Sequence, residues 1–169
     1  MAGFPSPCVS DTTLLVDLRE GGITRYVFRL PTVWLAPDVV VEEELEPAHA
    51  ERLLRFGLQK RELTGDQVEE VVALAQRYLG PSRADLFCLV LAKAEHATLV
   101  TSDKSLREAA EQEGIPVHGT LWILDFLVRN DLVPRQQAAA ALRRMVENNR
   151  WLPQAEVNDR LRQWRRSGE

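Results

Sequence analysis

At 169 residues, with 45% hydrophobic and 27% charged side chains, the chain has the size and composition of one soluble globular domain. No apolar run approaches the about 18 residues of a membrane span. The start MAGFPSPC lacks the features of a signal peptide, and the two cysteines, Cys8 and Cys88, form neither a disulfide framework nor a zinc spacing. The expectation is a cytoplasmic protein with reduced thiols and no membrane partner. The net charge of −4 is unevenly divided: residues 1–128 carry 12 Lys and Arg against 20 Asp and Glu, and residues 129–169 nine Arg against five acids. The C-terminal excess suits either a basic surface for RNA or a partner chain, or a solvated helix face.

In chain order, Pro5 and Pro7 make an irregular start, and 8–11 (CVSD) reads as a short strand. A helix follows over 12–22, stopped by Gly21 and Gly22. A second short strand, 32–37, closes on Pro37, and 38–57 reads as helical with a break at Pro47. Residues 58–63 fit a strand or a loop. The helix expected over 64–80 has a capping box in Thr64 and Gln67 and a stop at Gly80. Residues 81–97 are apolar around most of the helical circumference, the mark of a buried central helix. A strand at 98–103, a helix at 104–114, a strand at 115–119 and helices at 120–132, 135–150 and 153–169 complete the chain.

Short apolar strands alternating with helices specify an α/β class with a mainly parallel sheet and helices on both faces. Sites in such sheets form beyond the carboxyl ends of the strands. Asp11 and Asp103 each end an expected strand there. Glu43 follows Pro37 in the next helix, and Asp85 lies in the first turn of the buried one. Carboxylates gathered at one edge repel each other and suit a hard cation, Mg²⁺ or Mn²⁺. Each acid also has a plainer role. Asp11 and Asp103 are placed to cap helices, Ser82 and Asp85 form a capping box, and the run VEEELE is an ordinary solvated face. Ser10, Thr12, Thr101 and Ser102 stand where they could orient a ligand, and Lys104 and Arg83 where they could meet a phosphate. His49, His96 and His118 have no ligand spacing. Trp122, Trp151 and Trp164 read as core or interface. Asp17 and Asp125 are expected on helix faces opposite the apolar stripe, outside any site.

The blocks VSDTTLLVDL, PDVVVEEEL and RADLFCLVLAKAEHATLVTSDKSLREAAEQEGIPVHGT resemble a PIN domain, close to the VapC toxins of bacteria and archaea. The resemblance implies a PIN-like α/β/α sandwich over 1–169, with 134–169 a C-terminal helical extension packed on it. It also implies an Mg²⁺- or Mn²⁺-dependent ribonuclease, the toxin of a toxin–antitoxin pair with a cognate antitoxin as partner, and a homodimer. By position the resemblance makes Asp11, Glu43, Asp85 and Asp103 the catalytic and metal-binding acids. Within VEEELE the spacing from Pro37 and the step from Val40 favour Glu43, whereas the following Leu45 favours Glu44; Glu43 is the residue chosen. The implied reaction is hydrolysis of phosphodiester bonds in single-stranded RNA, leaving 5′-phosphate and 3′-hydroxyl ends. Two rivals remain. A phosphatase with an aspartate nucleophile needs a second Asp two residues after Asp11, where Thr13 stands. A non-catalytic PIN-fold module binding RNA or protein would not need four acids.

Overall fold

The computed structural model describes residues 3–148 and 150–166. Among these, five strands form one sheet in the order β3-β2-β1-β4-β5, every neighbouring pair parallel. They are β1 (Cys8–Ser10), β2 (Trp34–Pro37), β3 (Gln59–Arg61), β4 (Thr98–Val100) and β5 (Val117–His118). The first, second and fourth are buried throughout, because helices cover both faces of the sheet and leave no solvated side. The chain leaves β1 toward β2 and β3, then crosses back to β4 and β5. The order therefore reverses between β1 and β4, the place where a parallel sheet opens a crevice.

The register decides what stands at that crevice. Ser10 pairs with Val100, so the next residues, Asp11 and Thr101, leave the sheet side by side.

Helix α5 (Arg83–Ala94) packs on β1, β2 and β4, between α4 (Gly65–Arg77) and α6 (Lys104–Gln112). Its run Leu86 to Ala92 is buried without a break, as its all-round apolar sequence requires. A second helical group joins α1 (Thr12–Gly21), α2 (Thr24–Val27) and α7 (Thr120–Arg129). Behind it α8 (Arg135–Glu147) packs on α1, and α9 (Gln154–Arg166) on α8. The short α2 falls in a stretch where the sequence pattern pointed to no element.

Several elements are shorter than in the sequence reading, and two of the differences have an identifiable local cause. The segment after β2 is not one helix broken at Pro47. It is a single wide turn, Val40–Glu44, closed by Leu45 N–H on the Val40 carbonyl at 3.1 Å, then α3 (Pro47–Phe56). Glu46 is extended because the following proline disfavours a helical residue before it. Helix α4 ends at Arg77, with Tyr78 already extended, so Gly80 lies beyond the stop. The Thr64–Gln67 capping box forms as expected.

Helix α1 meets α8 closely. Gly21 faces Ala141 and Met145, Arg144 donates to the Gly21 carbonyl at 2.6 Å, and Gly22 ends the helix at φ 70°. A Cβ on Gly22 would be strained and would stand 3.2 Å from the Arg144 guanidinium. Gly22→Ala is expected to cost about 1 kcal/mol and lower the melting temperature by about 2–4 °C, read by calorimetry; an unchanged melting point contradicts this close packing.

Candidate active site

Asp11, Asp85 and Asp103 all stand in the first turn or at the cap of a helix. Asp11 caps α1: its Oδ1 accepts from Leu14 N–H at 3.0 Å. Asp103 caps α6, with Oδ1 accepting from Leu106 N–H at 2.9 Å and from the Ser105 hydroxyl at 2.8 Å. Asp85 closes the capping box of α5, with Oδ2 accepting from Ser82 N–H at 2.8 Å. The capping roles foreseen for these acids are therefore all present. They use one oxygen each of Asp103 and Asp85. Among the described residues Oδ2 of Asp103 and Oδ1 of Asp85 accept no hydrogen bond, and neither is shut off from solvent.

Asp11 is the buried member, 1% exposed. Its Oδ2 accepts from the Thr13 hydroxyl at 2.7 Å and from the Thr101 hydroxyl. Thr101 in turn accepts from Asp103 N–H at 3.0 Å, so a single hydroxyl joins the acid after β1 to the backbone of the acid after β4. Burial pushes the Asp11 carboxyl up to about 7, offset in part by its three hydrogen bonds and raised further by the Asp85 charge. Burial also raises Asp85, helped by the Asp103 charge and opposed by Ser82. These charges act on one another across the crevice.

Glu42, Glu43 and Glu44 in the run after Pro37 are all exposed. Glu42 pairs with Lys60 at 2.6 Å, and Glu43 points outward, 66% exposed, with Arg83 at 3.8 Å. Glu44 is the one whose charge, with those of Asp11 and Asp85, is felt at the buried Cys88 thiol. Cys88 lies beside the end of β1, its sulfur donating to the Ser10 carbonyl at 3.9 Å.

Of the polar neighbours expected near the acids, Thr101 does hold Asp11, and the Ser10 hydroxyl turns to the Asp11 carbonyl at 3.1 Å. Thr13, read in the sequence only as an argument against a phosphatase, is a direct partner of Asp11. Lys104 is 90% exposed and pairs with Glu108, and Arg83 lies over the Phe87 ring. No histidine joins the acids: His49 lies beside Arg19, His118 stacks on Trp122, and His96 is exposed. Trp164 is buried and Trp122 half-buried, whereas Trp151 is 92% exposed.

Asp17 corrects the sequence reading. It is not on the solvated face but 1% exposed, accepting from Ser102 and Thr120 hydroxyls at 2.8 Å and from Arg150 Nε at 2.6 Å. The signal was available: Asp17 stands three residues after Leu14 and one before Leu18, both buried, which places it on the core-facing side of the helix. Asp125 is likewise half-buried, in a two-pronged pair with Arg160. Two cations of the C-terminal segment, Arg150 and Arg160, are thus spent on internal pairs, whereas Arg162 pairs with Asp159 on the exposed surface of α9.

A PIN-domain family model matches residues 7–166. The chain belongs to the PIN-domain family. No curated protein matches it significantly. The crystal structure of PAE2754 from Pyrobaculum aerophilum is similar over 73% of this chain and 98% of that one, at 16% identity and a TM-score of 0.51, a likeness of fold. The PIN fold is a nuclease-type fold, and the acid-lined crevice of this PIN domain lies where its sheet places a site. The donor set there is oxygen only and carries solvent-facing lone pairs on Asp85 and Asp103, which fits Mg²⁺ or Mn²⁺. Among the described residues no three His, Cys, Asp or Glu side chains stand close enough to ligate one ion together.

The burial of Asp11 predicts a pH effect. Its carboxyl titrates near 7 when folded and near 4 when unfolded, so the folded state holds the extra proton between those values. The resulting stabilisation is full below about pH 4 and lost as pH rises through about 7, on the order of a few kcal/mol. In urea titrations with EDTA, wild type should lose more stability between pH 5 and 8 than Asp11→Asn, which caps α1 equally well. Equal losses would contradict the burial of an ionisable Asp11.

Proposed function

We propose that this PIN domain is an Mg²⁺- or Mn²⁺-dependent endoribonuclease acting on single-stranded RNA. The observation that carries the reading is the gathering of Asp11, Asp85 and Asp103 at helix starts around the crevice between β1 and β4. In this reading Asp11, Asp85 and Asp103 would hold the metal in part through bound water, since no three of the described carboxylates stand close enough to ligate one ion directly. Glu44 takes the remaining place in this reading: it is exposed like Glu43, but of the two only its charge is felt at Cys88, beside the end of β1. The bound ion supplies Lewis-acid stabilisation of the scissile phosphate and an acidified water. The protein's own part is to fix the acids. Thr13 and Thr101 hold the Asp11 carboxylate, and Ser105 and Leu106 N–H hold that of Asp103. The α1 and α6 starts add the positive ends of their helix dipoles, which favour ionised acids and an approaching phosphate.

The toxin role, with a cognate antitoxin as partner, belongs to this reading through the resemblance of 83–120 to VapC proteins. A short neighbouring reading frame for a small DNA-binding protein is what it requires. A cytoplasmic location accords with it; no described helix is long and apolar enough to cross a membrane. A non-catalytic binding module is the competing reading.

Purified protein should cleave unstructured RNA with Mn²⁺ and not with EDTA. Asp103→Asn and Glu44→Gln should each lower the rate about 100-fold, and Glu43→Gln far less. Metal-independent cleavage, or equal rates for wild type and Asp103→Asn, contradicts the reading.

A second copy of the chain is the partner we assign to α4. Val68, Val72 and Ala75, with Leu79 just past the helix end, lie exposed at alternating steps of four and three residues, the spacing of a coiled-coil seam. Asp66 and Glu69 stand toward one end of α4 and Arg77, which also pairs with Glu113, at the other, so an antiparallel pair brings acid near base. Wild type should run as a dimer in light scattering and Val72→Glu as a monomer with unchanged circular dichroism. A monomeric wild type rejects this seam.

A further inference from the structure

The C-terminal extension reaches the acid site through one side chain. Arg150 lies between α8 and α9, far in sequence from every acid, yet its guanidinium enters the layer under the crevice. Nε donates to Asp17 Oδ1 at 2.6 Å and Nη2 to the Thr13 carbonyl at 3.3 Å. Thr13 is the residue whose hydroxyl holds Asp11. Through Oδ2, Asp17 accepts from Ser102, the residue between Thr101 and Asp103, and from Thr120 at the start of α7. The first turn of α1 and the loop from β4 to α6, which carry Asp11 and Asp103, are therefore tied to a single cation.

We propose that Arg150 is a positioning residue for the acid site, clamping the Asp11 and Asp103 segments together through Thr13 and Asp17. The proposal rests on the metal-dependent reading above. It concerns how the acids are held, not whether they hold a metal.

Chemistry favours arginine here. Asp17 is 1% exposed, and a buried carboxylate needs a partner of opposite charge. A guanidinium offers separate nitrogens in a planar fork, so one can pair with Asp17 while another meets the Thr13 carbonyl. A lysine ammonium supplies the charge from a single nitrogen. Without the cation, Asp17 keeps two hydroxyl donors and loses its countercharge. The burial of Asp17 then disfavours the closed arrangement of α1 against the loop after β4. Supports of this kind, one step behind the ligands, set metal affinity by fixing ligand orientation.

The test uses two readouts on the whole chain. Amide hydrogen exchange follows Leu14, Asp103 and Leu106, whose N–H groups bond to Asp11, Thr101 and Asp103. Val71 and Leu74 in α4 serve as reference. Mn²⁺ affinity is measured from the electron paramagnetic resonance of the free ion. In Arg150→Ala the three site amides should exchange roughly tenfold faster with the reference pair unchanged, and Mn²⁺ should bind roughly tenfold more weakly. Arg150→Lys, which keeps Asp17 paired, should fall between and decides the matter if Arg150→Ala does not fold. Arg143→Ala, on the exposed face of α8, should match wild type. Unchanged exchange at the site amides, a uniform rise across the chain, or wild-type Mn²⁺ affinity in Arg150→Ala would each overturn the clamp. If wild type itself binds no Mn²⁺ at millimolar concentration, the metal reading falls, and the exchange measurement alone decides whether Arg150 positions the acids.

Discussion

The parallel register of β1 against β4 is the constraint on which the site depends. It makes Ser10 and Val100 partners, so the chain leaves both strands at the same height and Asp11 emerges against Thr101. A carboxylate at 1% exposure survives there only because it has three donors: Leu14 N–H and the hydroxyls of Thr13 and Thr101. A slip of one residue would turn Asp11 to the other face and strand those donors. The same hydroxyl of Thr101 accepts from Asp103 N–H, so the contact that stabilises one acid also places the next.

Capping and site formation are one arrangement in this protein. A helix start needs acceptors for its free N–H groups, and an Asp at the cap supplies one. Asp103 and Asp85 cap with a single oxygen and leave the other toward solvent. Like charges gathered this way oppose folding of the metal-free protein: burial and the neighbouring charge both raise Asp11 and Asp85. The helix starts partly offset the repulsion, since their positive ends favour negative groups. An oxygen-only cluster with mutual repulsion is a locally unfavourable feature that the surrounding fold supports, as functional sites commonly are.

Much of this was legible in the sequence because it is local. Short apolar strands ending in acids, the Thr64–Gln67 box and the all-round apolar helix at Leu86 to Ala92 each rest on neighbours within a few residues. So did the blocks that mark the PIN family. What escaped depends on distant contacts or on fine angles. The spacing of Asp17 from Leu14 marks the core-facing side of α1, but its partners Ser102, Thr120 and Arg150 come from three other segments. Glu43 and Glu44 differ only by about 100° of helical rotation, and the wide turn at Val40–Glu44 alters that angle, so spacing from Pro37 did not separate them. The basic balance of residues 129–169 suggested a free surface, yet Arg150 and Arg160 are turned inward to Asp17 and Asp125.

The central claim is that the acids at the β1–β4 crevice form one metal site. Anomalous scattering from crystals soaked in Mn²⁺ tests it most directly. A peak is predicted at the crevice bordered by Asp11, Asp85 and Asp103, and it should be lost in Asp103→Asn. Mn²⁺ found only at other sites, or no peak at the crevice at millimolar Mn²⁺, would contradict the claim and leave these aspartates as helix caps.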